Sequence, residues 1–363
     1  MKFLLAGLLI FATAFSAAGK DTDSLDLKIG QMIMIGIGER TTLSQNDPLR
    51  AELAAGKVGG VVLFEKNLSA TASSERLRAL IKALRQESQQ PLFVSIDEEG
   101  GNVHRLKPKY GFFTMPSAAS LGKSDDADLT LHYNRKLARL LKDLGFNVNY
   151  SPSVDVAVNP GNTVIVKAER SFGSSPSLVA RQAALVIQAH RENGVATVLK
   201  HFPGHGSSTT DSHFGVVDVT KTWKPLELRP YDTLIRAGLC DAVMVAHIIN
   251  KNWDSDMLPA SLSQKVVNGM LRKNLGFNGV VFSDDMQMKA IADHYGLERA
   301  IVLAINAGVD VLMFANTIPD AANRVTASQI HAIIKKLVLN GTVSRKRIDE
   351  SYQRIVAMKA KYP

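Results

Sequence analysis

The chain has 363 residues, 45% apolar and 21% charged, with a formal net charge of +9. This is ordinary globular composition, and a single cysteine, Cys240, excludes an intramolecular disulfide. The basic residues are spread along the chain with no nucleic-acid motif among them. The densest group, "KK", "RKR" and "KAK" between Lys335 and Lys361, alternates with apolar residues at helical spacing and reads as solvated helix faces. Weak attraction to anionic envelope polymers is the most that the charge suggests.

The first element is an export signal over residues 1–18. Lys2 supplies the positive start, Phe3 to Phe15 an apolar run too short to span a membrane, and Ser16-Ala17-Ala18 the small residues for cleavage. The mature chain, residues 19–363, then holds eight short apolar, β-branched runs. They are "QMIMIGIG" from Gln31, "GVVLF" from Gly60, "LFVSID" from Leu92, "NVNYSPSVDV" from Asn147, "TVLKHF" from Thr197, "AVMVAH" from Ala242, "GVVFSDD" from Gly279 and "DVLMFA" from Asp310. Each reads as a parallel strand buried on both faces. Helical segments lie between them, two of which end at Gly145 and Gly194, where a C-cap needs glycine. Eight strands alternating with helices predict a single-domain α/β fold, a (β/α)8 TIM-type barrel with a basic helical tail after Gly341. A doubly wound sheet fits less well, because no Gly-rich dinucleotide turn follows the first strand.

In such a barrel the chemistry lies at the C-terminal strand ends. Asp97 ends the third strand and Asp155 lies near the end of the fourth, whose loop carries Arg170. Lys200 and His201 end the fifth strand, His247 the sixth, and Ser283-Asp284-Asp285 the seventh. This convergence on one rim points to an enzyme.

The stretch "KHFPGHGSSTTDSH", Lys200 to His213, is the most crowded with titratable groups. Pro203, Gly204 and Gly206 prevent the helix that would let His201 and His205 bind zinc together. Phosphate binding is weaker still, since no Gly-Lys-Ser/Thr follows. Asp211 and His213, two apart in an extended segment, point the same way. An aspartate so placed can orient a histidine for acid and base work.

"KHFPGHG" followed by "DSH", with "IDEEGG", "ERSFG" and "FSDDM", resembles the glycoside hydrolase family 3 β-N-acetylglucosaminidases of the branch that trims cell-wall fragments. The resemblance implies that Asp284 is the nucleophile of a retaining hydrolase and that His213, oriented by Asp211, is its acid/base. It further implies that Asp97, Arg105, Arg170, Lys200 and His201 hold the terminal N-acetylglucosamine. Two departures are visible: Asn102 stands where arginine is common, and "VIVKAERSFG" lacks small residues before its acidic-Arg pair.

No metal or cofactor is expected. The implied partners are N-acetylglucosamine-containing glycans and not nucleic acid, with no stable membrane insertion once the signal is removed. A monomer in the periplasm or outside the cell is expected. A phosphorylase is one alternative, because a histidine acid/base does not repel phosphate. A β-glucosidase and a non-catalytic wall-glycan-binding protein are others. Substrate-assisted attack by the acetamido group, with one carboxylate steering it, is a rival mechanism; adjacent strand residues face opposite ways, so at most one of Asp284 and Asp285 is expected to face the sugar unless the strand has already ended. Trp253 is a candidate for stacking on a sugar or for anchoring its loop, and His247 for the site or for packing. His104, His132, His190, His294 and His331 carry no functional expectation.

Overall fold

The computed structural model describes residues 24–210, 215–318 and 324–363. The expected export signal and the pair Asp211 and His213 lie outside the described residues. The strands, in chain order, are β1 (Ile33–Gly36), β2 (Gly60–Leu63), β3 (Phe93–Ile96), β4 (Val148–Asn149), β5 (Ala196–Phe202), β6 (Val217–Asp218), β7 (Ala242–Val245), β8 (Ile248–Ile249), β9 (Val280–Asp285) and β10 (Val311–Phe314). Eight of them close a parallel barrel in the order β1-β10-β9-β7-β5-β4-β3-β2, while β6 and β8 form a separate two-stranded ribbon. All eight expected runs are barrel strands, and the chain is a (β/α)8 barrel.

The strands are shorter than the apolar runs. The run from Asn147 pairs only over Val148–Asn149 and through a bridge between Ser153 and Lys200. Pro152 has no N–H to give to a ladder, so regular pairing stops before it. The helix Ala127–Leu144 ends as expected at Gly145 in the left-handed region, and Pro176–Glu192 ends two residues before Gly194, with Asn193 as its cap.

The barrel interior is packed with buried side chains. Phe282 lies with its ring centroid 6.0 Å from Phe93 and 5.9 Å, edge-on, from Tyr150. The Tyr150 hydroxyl lies 3.0 Å from Ser95 Oγ and also meets Met34 Sδ, so its polar tip is satisfied inside the core. Burying one such ring stabilises the fold by roughly 1.5–3 kcal/mol.

The floor of the barrel corrects one expectation. Lys359, in the basic group read as a solvated face, is buried and caps the strand starts. Its Nζ donates to Gln31 Oε1 (2.5 Å), Gly59 O (2.7 Å) and Pro91 O (2.6 Å), and lies over the Phe93 ring. Arg347 and Arg354 also turn inward, meeting the buried Asp310 together with Arg272. The helix Arg345–Lys361 is therefore an integral wall of the floor and not a tail. Lys335 and Lys336 do face solvent, paired with Asp26 and Glu298.

Two irregularities interrupt the ladders. Against β7, Leu199 pairs with Val243 but Phe202 with Val245, which leaves one extra residue in β5. Against β10, Phe282 pairs with Val311 but Asp285 with Met313, which leaves one extra residue in β9. Both bulges lie at the C-terminal end of the barrel, over Lys200–His201 and Ser283–Asp284.

Candidate active site

The end of β3 alternates as an extended chain does. Asp97 and Glu99 turn toward Lys200, whose buried Nζ meets both carboxylates, Glu99 at 2.6 Å. Glu98 points the other way and is wholly buried. Its carboxylate accepts the N–H groups of Arg105 (2.7 Å) and Leu106 (3.0 Å) and meets His104 Nδ1. Glu98 thus folds the following loop back, bringing the Arg105 guanidinium to 3.5 Å from Asp97.

Arg170 arrives on the long loop after β4. It donates to Glu99 Oε1 at 2.6 Å through Nη2, and the same nitrogen donates to His201 Nε2 at 3.1 Å. His201 Nδ1 donates to Asp155 Oδ2 at 2.7 Å, which leaves Nε2 as the acceptor. Both ring nitrogens of His201 are therefore bonded within the protein. Among the described residues no group of three or more His, Cys, Asp or Glu side chains could hold a metal ion.

Burial opposes ionisation of Glu99, but Arg170 and Lys200 outweigh it and hold this carboxyl well below the usual range. Burial likewise opposes ionisation of Asp155, which His201 and His205 nevertheless hold at about 2. His205 is pushed down to about 4, first of all by burial. The pocket wall thus presents fixed carboxylates, fixed cations and a neutral His205 at neutral pH.

These side chains enclose a cavity of about 220 Å³ lined by Asp97, Arg105, Arg170, Lys200, His201, His205, Asp284 and Asp285, with Phe64, Tyr150 and Met244 as apolar surfaces. The structure brings together every described residue expected at the site. It places both Asp284 and Asp285 on the cavity, contrary to the alternation expected of a strand, because the β9 bulge breaks that alternation. The two differ in what holds them. Asp285 Oδ1 accepts the N–H groups of Gln287 (3.1 Å) and Ala315 (3.0 Å), tying the ends of β9 and β10 together, while Asp284 Oδ1 accepts the Asp285 N–H at 2.8 Å.

His247 has a packing role: its Nδ1 lies 2.6 Å from Ser261 Oγ and its Nε2 3.0 Å from Asp285 O. Trp253 packs edge-on against Trp223, centroids 4.9 Å apart, as a loop anchor. Asn102 Nδ2 donates to Ala168 O, joining the loops after β3 and β4. Sequence reasoning missed Glu99, the Glu98–His104 pair and the place of His205. Glu99 had a signal, since it stands two residues after Asp97 on the same face.

A parallel barrel with a small, carboxylate-rich pocket at its C-terminal rim, where lysine and arginine are held by carboxylates, can meet a ligand rich in hydroxyl groups. Residues 24–358 match the model of the glycosyl hydrolase family 3 N-terminal domain. Beta-hexosaminidase A of Pseudoalteromonas piscicida is 32% identical over 84% of this chain and 54% of its own length. Beta-hexosaminidase LpqI of Mycobacterium tuberculosis is 36% identical over 75% of this chain and 69% of its own. A solved family 3 β-N-acetylglucosaminidase from Paenibacillus sp. superposes with a TM-score of 0.85 at 34% identity, covering 93% of this chain and 62% of that one. The chain belongs to glycosyl hydrolase family 3. It spans about half the length of the Pseudoalteromonas relative.

Proposed function

We propose that the protein is an exported, retaining β-N-acetylglucosaminidase that removes terminal β-linked N-acetylglucosamine from cell-wall fragments. The observation that carries this reading is the position of Asp284 at the β9 bulge, on a pocket whose other polar walls are Asp97, Arg105, Arg170, Lys200 and His201. The similarity to a solved β-N-acetylglucosaminidase supports the acetamido sugar. The choice of cell-wall fragments and the periplasmic or extracellular location rest on the sequence motifs and the expected signal.

The pocket walls supply the binding. Asp97 accepts from sugar hydroxyls, while Lys200, Arg105 and Arg170 donate to them, each already oriented by a carboxylate. An Asp284 oxygen attacks the anomeric carbon and the glycosidic oxygen leaves, taking a proton from His213. This gives a glycosyl ester on Asp284. His213 then takes a proton from water as the water oxygen attacks the same carbon, which frees Asp284 and retains configuration. The fixed charges cost no reorganisation as positive character develops on the ring.

Nitrophenol release from the aryl β-N-acetylglucosaminide and from the aryl β-glucoside, each with and without phosphate, tests the reading. Preference for the acetamido sugar with no acceleration by phosphate is expected. Asp284→Asn is expected to lower kcat on the order of 10⁴-fold, and His213→Ala by roughly 10²–10⁴-fold. A preference for the glucoside, or faster cleavage in phosphate, would sink it.

A further inference from the structure

The segment from Pro203 to Ser208 leaves β5 and forms one wall of the pocket through His205. It is gripped from two sides. On the β4 side, Asp155 Oδ1 accepts the His205 N–H at 2.7 Å, and Asn162 and Asn159 donate to His205 O (2.8 Å) and Ser208 O (2.9 Å). A Cβ on Gly206 would stand 1.7 Å from Val156 O, so the chains touch there. On the other side lies the turn that opens the helix Arg229–Arg236. Trp223 Nε1 donates to Pro203 O at 3.2 Å, and Glu227 Oε2 accepts the Ser207 N–H at 3.2 Å.

Glu227 is wholly buried, and its other oxygen accepts the Lys224 N–H at 3.1 Å. Gly204, at φ +119°, passes so close that a Cβ would lie 2.6 Å from the Glu227 Cβ. The titratable groups facing it are Asp155 across the segment and Tyr231 on the adjoining helix. No ion pair to Glu227 forms among the described residues. A glutamine has one acceptor oxygen and would turn its NH2 against the other N–H, whereas a carboxylate accepts both, so an acid is what lets Glu227 hold Lys224 and Ser207 together.

We propose that Glu227 is a positioning residue of the glycosidase, fixing through Ser207 the pocket wall that carries His205 and leads, six residues on, to His213. The inference rests on the activity proposed above. An ionised carboxylate accepts N–H groups more strongly than the neutral acid does. Burial, with the charge of Asp155, pushes the Glu227 carboxyl up to about 7. The grip on Ser207 therefore tightens as pH rises through neutrality, and with it the hold on the His205 wall from which the chain runs on to His213. The sugar-holding side chains on β3 and on the loop after β4 are held by other carboxylates and do not depend on it.

The test is kcat and KM from pH 5.5 to 8.5 for the wild type, Glu227→Gln and Glu227→Asp, with thermal melts on each. In Glu227→Gln, kcat is expected to be close to wild type at the acid end and roughly tenfold lower at the alkaline end, with KM nearly unchanged. Glu227→Asp is expected to restore the pH-dependent rise with a shifted midpoint. A folded Glu227→Gln whose kcat–pH curve superimposes on wild type, or a change in KM alone, would overturn the proposal. Carbon NMR of wild-type protein labelled at glutamate carboxyls covers the case in which the variants fail to fold. A glutamate titrating near 7 is expected, and none doing so would overturn it. Wild type inactive at every pH would sink the activity instead, and the NMR titration still decides the case of Glu227.

Discussion

Lys200 lies between two carboxylates and Arg170 shares one of them, so Glu99 is the residue on which the cationic wall of the pocket depends. Removing one partner of a buried ionic group leaves charge uncompensated. Glu99→Ala is therefore expected to cost about 3–5 kcal/mol in denaturant unfolding, and to raise KM because Lys200 and Arg170 lose their orientation. Asp155 and Glu227 make opposite predictions about pH. The folded carboxyl of Asp155 lies below its unfolded value, so its contribution is present above about pH 4 and is lost as pH falls through about 2. The deficit of Asp155→Asn relative to wild type, on the order of 2 kcal/mol from this ionisation, should shrink between pH 5 and pH 2. Glu227 is raised, so its contribution is present below its unfolded value and is lost as pH rises through about 7. Glu227→Gln should therefore gain in melting temperature relative to wild type between pH 5 and pH 8.

At the scale of elements, the two bulges account for the site. Without them Lys200 and His201, or Asp284 and Asp285, would face opposite sides of the barrel wall. The close approach at Gly206 then packs the segment after β5 onto Val156. Gly206→Ala is expected to displace that segment and abolish activity, with a fall in melting temperature that marks the clash. The strands were legible because each is an apolar, β-branched run, and the site because aspartates, lysine and histidine follow directly on those runs. The bulges were not, since a bulge is a relation between a strand and its neighbour and leaves no mark on the strand alone. The same holds for Glu227, whose partner Ser207 is local only in the folded chain, and for His104, which reads as an ordinary loop residue until Glu98 is buried beside it. Lys359 was misread because helical alternation looks alike for a lysine in solvent and one under a barrel.

For the molecule as a whole, the floor matters as much as the mouth. Lys359 satisfies acceptors at the starts of three strands, and Asp310 collects three arginines from two helices. While Gly59 O keeps the Phe93 N–H, Lys359→Met would leave Gln31 Oε1 and Pro91 O without this donor in the interior. It is expected to destabilise the fold by roughly 2–4 kcal/mol in urea, with kcat unchanged at temperatures where the protein stays folded. Deleting residues 342–363 would expose the seat of Ile348, Ile355, Met358 and Tyr362, and soluble expression of that variant is expected to fail. The barrel closes only where β1 meets β10, two strands from opposite ends of the chain. A chain delivered amino end first holds β1 with one edge open until Val311–Phe314 has arrived. Closure is a long-range event, slow by its topology, and until it happens a partial barrel exposes unpaired strand edges. Crossing a membrane unfolded, which the proposed export would require, would draw out that interval, and slower delivery is then expected to lower the yield more than a modest loss of final stability does.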